Sequence, residues 1–190
     1  MPNQITISSS RYIDTILLKE GLSQIDKVST PLDPNIEIVA NPEGNAGSCS
    51  NSFARLLREL QYIANAMQPD ITYAMNRLVS YTANPSLQHW TAIKRVLRYL
   101  AGTQDLGIIY KGNTEKPELH GYTDAAYGNA DKYKSITGYV FIASRGAITW
   151  SLKRQIIQVQ FSTEAEYVAI SEAVQEACWL WSLHTKLGLL

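Results

Sequence analysis

Ser162-Thr163-Glu164-Ala165-Glu166-Tyr167-Val168-Ala169 opens the most informative stretch of this chain. The spacing predicts a long helix from about Thr163 to Lys186, with Gly188 beyond its end. At about 100° per residue, Ala169, Ile170, Ala173, Ala177, Leu180 and Trp181 share one apolar stripe, and Glu166 falls in its middle. Glu164 falls on the opposite side with Ser171, Gln175 and Ser182. An ionised carboxylate on a buried face is costly unless a cation or hydrogen-bond donors meet it. A purely structural reading competes. Thr163 and Glu166 fit the capping-box pattern T-x-x-E, in which the glutamate reaches back to the cap's own amide. On this helix alone, the capping reading is the stronger.

Upstream, the period changes from helical to alternating. In Gln155 to Phe161, Ile157, Val159 and Phe161 alternate with Gln158 and Gln160, which reads as a strand with one dry face. Gly138 to Ala143 is rich in β-branched and aromatic residues, Ser144-Arg145-Gly146 is a turn, and Ala147 to Ser151 follows it. Glu118 to Thr123 and Leu106 to Tyr110 read as further strands. Three or more strands followed by one helix is an α+β pattern. Within His120-Gly121-Tyr122-Thr123-Asp124-Ala125-Ala126-Tyr127-Gly128, a strand delivers Asp124 near its end, flanked by small residues that permit close approach of a ligand. Aspartates at strand ends more often initiate turns, and Gly128 suits that role. Taken singly, neither carboxylate marks a site.

The first half of the chain is helical. Ile5 to Ile7 reads as a short strand; Ser10 is a candidate cap for a helix carrying Ile13, Ile16 and Leu17 and ending at Gly21. Residues 28–52 hold Pro31, Pro34, Pro42, Gly44 and Gly47, a linker composition for which mobility is the expectation. Leu56, Leu57, Leu60 and Ile63 form a second stripe. Asp70 is a candidate cap for a third helix with Tyr73, Ala74, Leu78 and Tyr81, and Trp90, Ile93, Val96, Leu97 and Leu100 form a fourth stripe ending at Gly102. Short breaks between such helices favour antiparallel neighbours.

Composition narrows the function. Hydrophobic residues at 45% and charged residues at 18% suit a chain that buries a core. Equal numbers of basic and acidic residues, 17 of each, argue against a free-standing nucleic-acid binder but leave local basic patches open. Cys49 and Cys178 are too few for a disulfide framework, and no apolar run approaches the roughly 18 residues that span a bilayer. The N-terminus lacks a signal-peptide pattern, so the expectation is an intracellular protein, cytoplasmic or nuclear and not secreted. His89, His120 and His184 lack zinc-ligand spacing. Trp90, Trp150, Trp179 and Trp181 read as core or interface residues, and Cys178 as a packing residue.

Taken together, the two carboxylates match a known order. An aspartate on a first strand, a hairpin of two more strands, and a glutamate in the first turn of a helix resembles the ribonuclease H fold. The wording Gly121-Tyr122-Thr123-Asp124-Ala125, Lys134-Ser135-Ile136-Thr137-Gly138-Tyr139-Val140, Ile148-Thr149-Trp150-Ser151 and Ser162 to Ala169 resembles the ribonuclease H region of copia-type retrotransposon Pol polyproteins. Upstream, Val28-Ser29-Thr30-Pro31-Leu32, Gln68-Pro69-Asp70-Ile71 and His89 to Leu100 resemble the reverse-transcriptase tail of the same polyproteins.

The resemblance implies an α+β fold, a ribonuclease H-like sheet of three strands and one helix preceded by a small helical tail subdomain. Its divisions are a strand and helix over 1–27, a linker over 28–52, a helical connection over 53–110 and the ribonuclease H-like part over 117–190. It implies that Asp124 and Glu166 are metal-binding and catalytic carboxylates for Mg²⁺, with an RNA–DNA hybrid as substrate and no membrane partner. Set against the family pattern, the chain reads as truncated, without the later strands that carry a third and a fourth acidic residue and without the polymerase's paired aspartates. The expectation is a segment inactive alone, marginally stable, and open to self-association through an exposed sheet edge. The alternative is a non-catalytic nucleic-acid or protein-binding module that kept the fold.

Overall fold

The computed structural model describes residues 3–22, 24–41, 50–112, 118–128 and 134–188. They form two compact units, one of Ile7–Ile108 and one of Met1–Thr6 with Ile109–Leu190.

The helical unit is built from amphipathic helices whose stripes bury one another. In α1 (Ser10–Lys19) Ile13, Ile16 and Leu17 are buried, and the chain turns away at Gly21, whose φ of +68° suits a residue without a Cβ. Helix α2 (Ser50–Ala66) buries Phe53, Leu56, Leu57, Leu60 and Ile63. A 3-10 turn over Pro69–Ile71 leads into α3 (Thr72–Val79), which buries Ala74, Met75 and Leu78. Helix α4 (Leu87–Thr103) contributes Ile93, Val96, Leu97 and Leu100 to the same core.

Two expectations are corrected here. Asp70 does not cap α3: the 3-10 turn intervenes, and Asp70 Oδ2 instead accepts a 2.5 Å hydrogen bond from the Tyr99 hydroxyl. The linker is irregular but anchored through residue 41. Ile38 is buried in the helical core and its carbonyl accepts from the Tyr81 hydroxyl at 3.0 Å. Gln88 donates to the Glu37 carbonyl and Arg95 to Thr30 Oγ1. Proline and glycine exclude regular ladders from such a stretch but do not prevent its carbonyls from meeting donors on a neighbouring helix. Residues 42–49 lie outside the described residues, Cys49 among them.

In the second unit, β1 (Gln4–Ile7) pairs with β2 (Ile108–Lys111). A three-stranded antiparallel sheet has the order β3 (His120–Ala126), β4 (Ile136–Ala143), β5 (Gly146–Arg154). The β4–β5 turn places Ser144 at φ 51° and Arg145 at φ 65°, the doubly left-handed geometry that fits a hairpin's twist. Helix α5 (Ser162–Lys186) packs across β3 and β4, with Ala173 and Leu180 against Phe141. Gly121 is required beneath it, because a Cβ there would collide with the Phe141 ring.

The expected strand over 155–161 does not form. Gln155 and Val159 are buried, but Ile157 and Phe161 are exposed, and the segment is an irregular lead-in to α5. The α5 stripe is also narrower than expected. Ala165, Ala169, Ala173 and Leu180 are buried, whereas Ile170 is 46% exposed and Trp181 63% exposed. The sheet touches only the flank with small residues, which let the helix approach closely. Cys178 is exposed, against the expectation of packing, and Trp179 is exposed too, which excludes the core half of its core-or-interface reading. Among the described residues, no helix is long and apolar enough to cross a membrane.

Candidate metal centre

Asp124 lies within β3, opposite Gly138 of β4, which in turn faces Leu152 of β5. Alternation along the strand puts Asp124 in one pleat row with Gly138 and Leu152. Gly121, Thr123 and Ala125 belong to the other row with Phe141, Tyr139 and Thr137, the row that α5 covers. Asp124 is exposed. Glu166 is half-buried in the first turn of α5, at the margin of the buried alanine stripe.

A buried amide positions this first turn. Gln155 Nε2 donates to Thr137 Oγ1 at 3.0 Å and to the Ala165 carbonyl at 2.9 Å, and the Gln155 backbone N–H donates to the Ser135 carbonyl at 2.8 Å. Thr137 is the cross-strand partner of Ala125. Gln155 thus links the start of β4 to the residue before Glu166. The Tyr127 hydroxyl donates to the Gln160 carbonyl at 2.6 Å, and Lys134 Nζ to the Ile156 carbonyl at 2.7 Å. These bonds bring the end of β3 and the start of α5 to the same end of the sheet.

The competing capping role of Glu166 is overturned. The helix begins at Ser162 with Phe161 as its cap, which makes Glu164 the third helical residue. Glu164 Oε2 accepts from the backbone N–H of Gln160 at 2.7 Å and of Phe161 at 3.4 Å. Starting two residues earlier than a Thr163 cap would require passes the capping carboxylate from Glu166 to Glu164. On the β5 flank of α5, Glu176 accepts from Thr149 Oγ1 at 2.8 Å and Glu172 pairs with Lys153 at 3.2 Å. Burial raises the Tyr139 pKa, and the charge of Glu176 adds to the shift. At about 100° per residue, Glu166 falls on the other flank, toward β3.

Among the described residues, neither Asp124 nor Glu166 is engaged by a hydrogen-bond donor or a cation. Among the described residues, no group of three or more His, Cys, Asp and Glu is placed to hold a metal ion. His120 Nε2 lies 3.3 Å from Glu118, the His184 ring bonds the Leu180 carbonyl, and His89 is buried in the helical unit.

No family model and no solved structure matches the chain. Curated relatives do. The Pol polyprotein of transposon RE2 from Arabidopsis thaliana is 38% identical over the whole chain, and that of transposon RE1 is 37% identical over the same span. The Pol polyprotein of transposon TNT 1-94 from Nicotiana tabacum is 34% identical over 98% of the chain. The chain belongs to the copia-type retrotransposon Pol polyproteins. It spans 13% of the RE2 and RE1 polyproteins and 14% of the TNT 1-94 polyprotein.

In this Pol segment, sequence reasoning missed Gln155 and Tyr127. Gln155 carried a signal only as part of a strand pattern that does not form. A buried glutamine just before a helix, rather than within a ladder, was the available clue.

Proposed function

We propose that the sheet unit is the ribonuclease H-like part of a Pol polyprotein, directed at the RNA strand of RNA–DNA hybrids, and that the helical unit is the tail of the reverse transcriptase. One observation supports this reading: Asp124 near the end of β3 and Glu166 in the first turn of α5 stand at the same end of one sheet, Asp124 in the pleat row away from α5, with no described protein cation neutralising either. Their donor chemistry fits Mg²⁺, a hard cation usually held by one or two carboxylates together with water and substrate phosphate. When bound, a divalent ion supplies Lewis-acid stabilisation of phosphate oxygens and an activated water. Asp124, exposed on an edge strand, presents its carboxylate to an approaching nucleic-acid backbone. The helical turn that carries Glu166 is anchored by the Ala165 carbonyl's bond to Gln155. With two such carboxylates, the 190-residue chain alone turns over poorly, because members of a metal site act as a unit.

The test is a Mg²⁺ titration of the chain followed by amide NMR, alongside cleavage of a labelled RNA–DNA hybrid. The expected result is shifts confined to the neighbourhoods of residues 124 and 166, abolished by Asp124→Asn, with negligible cleavage. Shifts that survive both Asp124→Asn and Glu166→Gln sink the reading. A second reading, a binding module without catalysis, is favoured by the lack of a third described carboxylate. Salt-dependent hybrid binding that ignores Mg²⁺ and Glu166→Gln distinguishes it.

A further inference from the structure

We propose that the start of α1 binds a phosphate group borne on a nucleotide, at a site contained within the helical unit and separate from the candidate metal centre. A cavity of about 760 Å³ opens there, lined by Ser8, Ser9, Ser10 and Arg11 together with the rings of Tyr12 and Tyr62. Among these, Ser9 is only 4% exposed, and its Oγ has no hydrogen-bond partner among the described residues. Ser9 precedes the helix, yet its φ of −105° and ψ of 17° are not those of a capping serine, and its side chain makes no capping bond. A buried hydroxyl left unpaired is costly, and a ligand oxygen in the cavity satisfies it.

The surrounding groups select an anion. The Ser9 carbonyl accepts from both the Tyr12 and the Ile13 amides, each at 2.9 Å, so the Ser10 and Arg11 amides have no acceptor within the helix. The first turn of α1 holds no acid. It holds Arg11 instead, a cation at the helix end that disfavours one unless a negative group neutralises both. Arg11 has no ion-pair partner among the described residues. Asp14, the nearest acid along the helix, lines a different cavity with Leu17 and Leu18. Free amides, a hydroxyl and a guanidinium are donors that the several oxygens of one phosphate can meet together. The aromatic pair extends the fit. Tyr12 and Tyr62 meet edge to face, with centroids 5.5 Å apart, and Tyr62 is 58% exposed. A free phosphate has no use for ring faces and fills little of such a cavity, whereas an attached base or sugar uses both.

Amide NMR of the full 190-residue chain in metal-free buffer tests this, with inorganic phosphate and a short single-stranded oligothymidylate as probes. Both are expected to shift the amides of residues 9–13, the oligonucleotide binding about tenfold more tightly because a base stacks beside its phosphate. Arg11→Gln weakens both probes and flattens the salt dependence of the oligonucleotide, and Tyr62→Ala weakens the oligonucleotide alone. Ser9→Ala weakens both while leaving the thermal midpoint unchanged or higher, since no described protein group bonds that hydroxyl. Asp124→Asn leaves the titrations unchanged, so failure here and failure of the Mg²⁺ reading are seen separately. Unmoved amides at residues 9–13, affinities indifferent to both Ser9→Ala and Arg11→Gln, equal affinity for the two probes, or a lowered midpoint in Ser9→Ala each overturns the proposal.

Discussion

His89 shows how a single ring shapes the helical unit. Its Nδ1 accepts from the Ser86 backbone N–H at 2.8 Å, doing for α4 what a capping-box glutamate usually does, and the ring stacks on Tyr81 with centroids 4.3 Å apart. The ring is buried, and desolvation lowers its pKa, with a Val39 backbone interaction opposing the shift. The unfolded chain therefore takes up a proton near pH 6.5 while the folded form resists it. Stability is fully present above that pH and is lost as pH falls toward the folded pKa. Thermal melts across mildly acidic pH are expected to show this loss in the wild type and a smaller one in His89→Gln. Tyr99 acts at the other extreme. Burial, and then the hydrogen bond and charge of Asp70, push its pKa up to about 12. Its contribution is present below about pH 10 and is lost as pH rises through the folded value. Asp70→Asn is expected to bring the tyrosinate absorbance titration of Tyr99 to lower pH.

At the scale of elements, the β4–β5 hairpin holds Ser144 and Arg145 at positive φ, a conformation that costs a residue with a Cβ about 1 kcal/mol or more. Replacing the pair with Asn-Gly is expected to stabilise the sheet unit by about 1 kcal/mol, read from denaturant midpoints at constant slope. The docking of α5 depends on Gln155. Gln155→Ala removes both of its side-chain bonds, including the extra donor to the Ala165 carbonyl and the partner of the Thr137 hydroxyl, at a cost of about 1–3 kcal/mol. Faster amide exchange in the first turn of α5 is the expected sign. Period was a sound guide to the helices: Leu56, Leu57, Leu60 and Ile63 are all buried, as their spacing predicts. It failed over 155–161, where alternating residues found no strand to pair with and the backbone was satisfied by side chains instead. It also overstated the α5 stripe, because amphipathicity counts apolar residues and not the width of the surface that meets them.

At the scale of the molecule, the two units are unequally provisioned. The helical core draws on α1 through α4 and on Ile38, whereas the cluster beneath α5 centres on Phe141, Ala173 and Leu180 beside an open edge strand. Limited proteolysis is expected to cut within residues 118–188 before it breaks the helical unit; a resistant fragment of that sheet region would contradict this. Leu60→Ala, in a fully buried position, is expected to cost about 2–5 kcal/mol and to lower the helical unit's melting transition.

Hydrophobic period, glycine and proline placement and the ordered motifs by themselves determined the helices, the strand-rich second half, the family and the two carboxylates worth testing, because these are local properties of the chain. Only the tertiary structure decided that Glu164 rather than Glu166 caps α5, that Gln155 joins the helix to the sheet, and that Ile170 and Trp181 face outward. Each of those depends on which surface arrives opposite a given side chain, and nothing within a few residues along the chain specifies that.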